Sequence, residues 1–352
     1  MKKYFVTLFL SVFCFVVQVS AQSSVIATLF HDGDIKTFYG TDALRSAHAA
    51  AVHGDVITLS SGSFTATNIT KAVTLRGAGM EYDSISVTEP TIISGDFSIQ
   101  IASDSTLQNN NLVMEGIYHN AAGIITVNGS LNNPQFVKCR LYMIKCGSSG
   151  TYGYMYYANF INCVIAYEVN FFSSGSATFV NCYVFDMEYY SSNSTASAEF
   201  QNCVVKDPNF SDVRNAVFRN CFLFATASSS STLNILPSTS QAYNCVALST
   251  TSSTNVFANQ SNTTNTLVSS FSDVFKTWTG SFLANFKTER LELTDAAKTK
   301  YLGSDGTQIG IYGGSIPFDP RPSNPQITKL NVASKSTADG KLSVDIEVKA
   351  AE

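Results

Sequence analysis

The 352-residue chain is predicted to be all-β, a solenoid of stacked parallel strands, on three observations. A short phrase recurs through the middle of the sequence, its spacing stays near twenty residues, and hydroxyl- and amide-rich turns separate the copies. The phrase reads Ala158-Asn-Phe160-Ile-Asn162-Cys163, then Ala177-Thr-Phe179-Val-Asn181-Cys182, Ala198-Glu-Phe200-Gln-Asn202-Cys203 and Ala216-Val-Phe218-Arg-Asn220-Cys221. Looser copies end at Cys139 and Cys245, so successive cysteines lie 24, 19, 21, 18 and 24 residues apart. A period of this length marks a stacked-repeat protein.

Each part of the repeat has a physical reading. Ala and Phe stand two apart and therefore share one face of a strand. Asn then breaks the alternation, because it tolerates the left-handed backbone of a sharp bend. Cys and a following aliphatic residue (Ile165, Val184, Val205 or Leu223) resume the inward face, and polar turns such as Ser173–Ser176 and Ser191–Thr195 close the unit. One unit cannot bury its own Phe. Stacked about 4.8 Å apart, the units build a column of Phe, a column of Cys and a ladder of Asn amides. A leucine-rich horseshoe has repeats of similar length, but its leucine framework and helical half-turns are missing.

The A-x-F-x-N-C phrase resembles the right-handed parallel β-helix of the pectate-lyase-like superfamily, as found in secreted bacterial proteins. The resemblance covers most of the chain after residue 21 and speaks to fold more than to activity. The enzymes of that superfamily are mostly carbohydrate lyases and hydrolases.

In chain order, Lys2 and Lys3 precede an apolar run from Tyr4 to Val19, and Val19-Ser-Ala21 offers a small-residue cleavage site. Residues 1–21 thus read as a secretory signal peptide, and Cys14, inside the apolar run, argues against a lipoprotein signal. The expected location is the periplasm, the cell surface or the medium, with no transmembrane segment in the mature chain. Residues 22–54 read as a hairpin around Asp32-Gly33 and a helix from Asp42 to Val52 capped by Thr41. A helix followed by Gly54-Asp55-Val-Ile-Thr-Leu59 resembles the start of many bacterial β-helices, where it covers the open end of the stack. Uncovered, the first turn would expose its apolar interior and a strand edge.

Residues 55–316 read as the coil, with room for about a dozen turns. Asp55–Ser60 is its first strand. Ala72–Gly77 and Leu112–Ile117 read as early turns in which Gly replaces Asn at the bend, with further strands at Thr91–Ile93 and Phe97–Ile101. Ser269–Phe286, which holds the single tryptophan Trp278, reads as a loop or final turn. Gly303–Gly314 resembles the closing turn of exported bacterial β-helix proteins. Residues 317–352 comprise a proline-rich joint and a hairpin around Ala338-Asp-Gly340, too short for an independent domain. The favoured reading of the hairpin packs it over the C-terminal end of the coil; a docking tail and a truncated sandwich module are the alternatives.

Without Lys2 and Lys3 the charge balance is 20 basic to 26 acidic residues, which provides no broad basic surface for nucleic acid. Seven cysteines follow residue 21, and six of them fall in the inward column, where Cys acts as a small hydrophobe. Side-by-side thiols on neighbouring parallel strands are poorly placed for bridging. Cys139 with Cys146 is the one pairing left open. No cofactor is expected, and the four histidines form no metal-ligand cluster.

Chemistry has two candidate locations. Aligned on Cys, the fourth residue onward is Tyr167, Asp186, Asp207 or Ala225, which sets Asp186 and Asp207 on adjacent turns with Glu168, Glu188 and Lys206 nearby. Two such carboxylates would repel, raising one pKa or inviting a cation. They are the weak catalytic candidates of a polysaccharide lyase or glycoside hydrolase, and calcium enters only with the lyase reading. The same pair also reads as turn residues facing water. Arg140, Arg214 and Arg219 do not complete a lyase arrangement, so no family catalytic residue transfers to this chain.

The second location is a crowd of aromatics between Tyr142 and Tyr190, including Tyr152, Tyr154, Tyr156 and Tyr157. Tyr183 and Phe185 are expected to point outward. Together with Tyr167, Lys206 and Glu188 they are the candidates for binding a polysaccharide or surface glycan, since sugar rings offer apolar C–H faces and hydrogen-bonding rims. The reading is a non-catalytic, glycan-binding or structural protein at the cell envelope or outside the cell. The alternatives are the lyase or hydrolase and a protein-binding adhesin.

Overall fold

A computed structural model describes residues 25–349 except 85–87, 103–110, 121, 148–151, 172–173, 190–194, 208–213, 226–234, 249–254, 279–289, 322–325 and 334. The expected signal peptide lies outside the described residues.

The left-handed bend occurs where the sequence places it. Asn162, Asn181, Asn202, Asn220 and Asn244 have φ between 51° and 54°, and Gly116 occupies the same position in an earlier turn with φ 63°. Gly77 differs. Its φ is not positive, but a Cβ there would strike the Gly116 carbonyl oxygen, so close backbone approach is what requires glycine.

Between bends the parallel register superimposes like on like. Ala158, Ala177, Ala198 and Ala216 pair in series, as do Phe160, Phe179, Phe200 and Phe218. From Phe136 to Phe218 the rings stack with centroids 4.7 Å apart and planes within 10°. Met114 continues this column on one side and Ala242 on the other. Burying each Phe contributes roughly 1.5–3 kcal/mol.

The cysteine column does more than fill space. Cys182 Sγ donates to the Phe160 carbonyl of the preceding turn at 3.2 Å and accepts the Cys163 N–H at 3.3 Å. Cys203 repeats the pattern with Phe179 O and the Cys182 N–H. The Asn bend interrupts the strand ladder, and the sulfur satisfies a backbone N–H left at that break. Burial, the largest influence on each of these thiols, opposes ionisation, and it lifts Cys163 and Cys203 well above the ordinary range. All seven described cysteines are free, including Cys139 and Cys146.

The strands form two long parallel sheets around one core and make about eight turns rather than a dozen. Among the described residues the last stacked strand is Thr266–Val268. At the other end, Ile26–His31 and Asp34–Tyr39 form the expected hairpin, and Ile26–His31 also pairs antiparallel with Val56–Leu59. The capping helix runs Ala43–Ala50 and buries Ala43, Leu44, Ala47 and His48. Its N-cap is Asp42 without a side-chain cap bond, not Thr41. The Thr41 carbonyl instead accepts from the Thr65 N–H.

Residues 271–278 and 290–318 form a strap along the flank of the coil. Val164, Tyr183, Val204, Phe222 and Val246 form, with Phe271, Phe275, Ile309 and Ile311, an apolar layer separate from the inner core. Asn181 Nδ2 donates to the carbonyls of Ile311 and Gly313, both at 2.7 Å, and the Gly310 N–H donates to the Asn220 carbonyl at 2.9 Å. A Cβ on Gly314 would strike the Asn202 amide, so glycine is needed for the strap to lie on the Asn ladder. Gly303–Gly314 therefore covers the flank and is not a closing turn. The C-terminal hairpin pairs Gln326–Val332 with Val344–Lys349. Every residue of its second strand is exposed, so that strand does not pack over the end of the coil.

Candidate functional site

The second sheet brings three of the sequence-predicted residues together. Tyr142 stacks on Tyr167 with centroids 5.0 Å apart and planes at 7°, and Tyr167 on Phe185 at 6.4 Å and 14°. Lys206 Nζ lies 4.2 Å from the centre of the Phe185 ring. Burial lowers the Lys206 pKa, and the neighbouring Asp186 carboxylate works in the opposite direction. In this stripe the Tyr167 ring is stacked between Tyr142 and Phe185 and is 43% exposed.

Tyr183 is placed differently from the expectation. It belongs to the outer apolar layer beneath the strap and is only 2% exposed. Counting two residues on from the Val184–Val205 pair puts Asp186 and Asp207 on adjacent turns. The side chains of Asp207 and Glu188 lie outside the described residues. Glu168 is buried and accepts a hydrogen bond from Asn170 Nδ2 at 2.8 Å. Arg219 lies against Glu199 and the Tyr243 ring, and Arg140 against the Tyr118 ring, which gives both outward positions a packing role.

A second aromatic group has a different geometry. Tyr154 and Tyr156 alternate with the inward Met155 on the strand Gly153–Ile161. Their planes are 22° apart and their centroids 6.1 Å apart. On one side the register sets them opposite Ser130 and Asn132, and on the other Gly175 pairs with Met155 between Ser174 and Ser176. Tyr156 Oη lies 3.1 Å from Ser174 Oγ. Among the described residues, the register opposite these tyrosines thus supplies small polar residues and no ring.

Tyr152 and Tyr157 flank the pair at 64% and 69% exposed. Tyr157 has φ 54°, a left-handed conformation that is unusual for an aromatic residue. The Ser176 hydroxyl accepts its N–H at 2.8 Å, and Asn159 Nδ2 donates to its carbonyl at 3.0 Å. The register shifts between Met155 and Ala158, an irregularity of the kind that re-aims side chains. Strand alternation already puts Tyr152, Tyr154 and Tyr156 on one face. Repeat alignment on Cys passes over them because they precede the repeated phrase.

Comparison with protein-family models, curated proteins and solved structures finds no match. Among the described residues no three His, Cys, Asp or Glu side chains converge as metal ligands, and no helix is long and apolar enough to cross a membrane.

Proposed function

We propose that the chain is an exported, non-catalytic glycan-binding protein of the pectate-lyase-like kind, acting at the cell envelope or outside the cell. The observation that carries this reading is the Tyr154–Tyr156 pair, near-parallel and bordered by serine and asparagine rather than by further rings. A pyranose ring can lay its C–H face on a tyrosine while its hydroxyls reach short polar side chains beside it. Tyr152 and Tyr157 extend the surface, and the strained Tyr157 backbone is the sort of outlier that clusters at ligand sites.

A glycan array followed by calorimetry on the strongest hit tests the proposal. The double variant Tyr154→Ala/Tyr156→Ala is expected to lose at least about tenfold in affinity, as removal of two stacking contacts requires. Its circular dichroism should match that of the parent. An array without hits, or affinity unchanged in the variant, overturns the reading. Turnover in a lyase absorbance assay on acidic polysaccharides would replace it with the Asp186/Asp207 alternative.

A further inference from the structure

A cleft of about 280 Å³ opens where the far part of the strap meets the loop after the Thr74–Arg76 strand. Glu81, Tyr82, Arg290, Tyr312, Asp319 and Arg321 line it, drawn from four stretches of the chain. Its arginines are already paired. Arg290 Nη1 lies 2.7 Å from Glu81 Oε1, and the Glu81 side chain is only 10% exposed. Arg321 forks onto Asp319, with Nε 3.0 Å from Oδ1 and Nη2 2.9 Å from Oδ2. Glu292, also in the wall, is bonded to Lys276 at 3.1 Å.

The Tyr312 hydroxyl donates to the Arg290 carbonyl at 2.8 Å and fixes that segment from behind. Burial pushes the Tyr312 pKa up to about 12, which keeps the phenol a donor. Tyr82 is the exposed aromatic of the group, at 42%.

We infer that this cleft binds a single neutral pyranose, an end or branch unit of the glycan whose main chain lies elsewhere on the coil; the identity of the ligand rests on the glycan reading above. An anionic ligand would have to displace a carboxylate from Arg290 or Arg321, and the Arg321–Asp319 pair is held by two prongs. A neutral polyol takes the remaining lone pairs and N–H groups of groups already fixed in place, and its C–H face can rest on Tyr82. The cavity lies at the small end of ligand pockets, which favours one sugar over a chain.

Saturation-transfer NMR with the methyl glycosides of glucose, galactose and mannose tests this on the full chain, with methyl glucuronide and glucosamine as ionic controls. One neutral glycoside is expected to respond, and Tyr82→Ala and Arg321→Ala are each expected to weaken its binding at least about fivefold. Arg321 is 52% exposed, so its replacement tests the cleft without opening a core. Tyr154→Ala/Tyr156→Ala should leave that response intact while reducing polysaccharide binding, which separates the two sites. No response to any neutral glycoside, a stronger response to an ionic one, or a response unchanged in both cleft variants overturns the inference.

Discussion

The chain contains two β-hairpins with the same local grammar, alternating apolar and polar residues about an Asp-Gly turn, and they come to different ends. In the first, Ile26–His31 pairs with Asp34–Tyr39 and also with Val56–Leu59, closing the free edge of the first sheet. Ala27 and Leu29 are buried in the same core as Leu44 and Ala47 of the capping helix. In the second, Val332, Leu330 and Ile327 pair across from Val344, Ile346 and Val348. The last three remain about half exposed, at 49%, 51% and 58%. Alternation and a turn specify that two strands pair with each other. Burial needs something more, namely an unsatisfied sheet edge and an apolar surface within reach of the connecting chain.

The strap sharpens the contrast, because it is C-terminal chain that does pack. Phe275 sits in the outer layer at 1% exposed, edge-on to Phe271 and tilted against Phe222. Phe275→Ala is expected to cost about 3–5 kcal/mol in chemical denaturation, whereas Ile346→Ala should stay within about 0.5 kcal/mol. Equal effects would dissolve the distinction between covered and uncovered C-terminal segments. At the N-terminus, Leu29→Ala is expected to cost about 2–5 kcal/mol. A loss no larger than that of Ile346→Ala would mean that the first hairpin adds little to the core it closes.

Acid should act on the N-terminal end next. His48 is buried on the helix, its Nε2 accepts the Thr70 N–H at 3.2 Å, and burial lowers its pKa to about 4. The unfolded chain, with His near 6.5, therefore takes up this proton first as pH falls. The stability is fully present above about pH 6.5 and is lost progressively toward pH 4, on the order of 2–3 kcal/mol in all. His119, also lowered by burial, acts in the same direction. His31 has the opposite sign. The hydrogen bond its ring N–H donates to the Asp55 carboxylate raises its pKa, so its contribution is present below about 6.5 and fades as pH rises through the folded value. His48→Gln is expected to flatten the decline between pH 6.5 and 4.5 in denaturation midpoints. A decline of undiminished slope in that variant would assign the acid sensitivity to other groups.

The interior of the coil was legible because repetition exposes it. Phe, Ala, Asn and Cys recur in one register, and each has a single physical role there. The dual bonding of the thiols was not legible, since sequence shows Cys as small and apolar but not which backbone groups the bend leaves unpaired. The outer layer did leave a signal. After each Cys come two apolar residues in succession, Val164-Ile165, Tyr183-Val184, Val204-Val205 and Phe222-Leu223. A continuous apolar run marks a strand covered on both faces, the signal that the outward reading of Tyr183 passed over. The glycines from 303 to 314 suggested a turn, whereas a Cβ on Gly303 or Gly314 would strike Asn220 or Asn202 of the Asn ladder, more than 80 residues earlier, where Ser304 also bonds Asn220. The cleft joins Glu81 to Arg290 across 209 residues and follows no period, so the repeat could not announce it.

The smallest expected effect isolates the second hairpin. Truncation after Pro325 removes both of its strands, and the coil's stability is expected to change by less than about 0.5 kcal/mol, because every residue of the second strand is exposed. A lone two-stranded hairpin is marginally stable in water, so amides of Val344–Lys349 should exchange much faster than those of Ile26–His31. Comparable protection in the two hairpins would mean that the second has a docking surface on the coil. If protection is low and the full chain self-associates while the truncated one does not, the aliphatic face of Val344, Ile346 and Val348 is the adhesive element. The first hairpin differs in burying Ala27 and Leu29 in the core that holds the capping helix, although Ile35 and Tyr39 of its outer strand are 65% and 69% exposed.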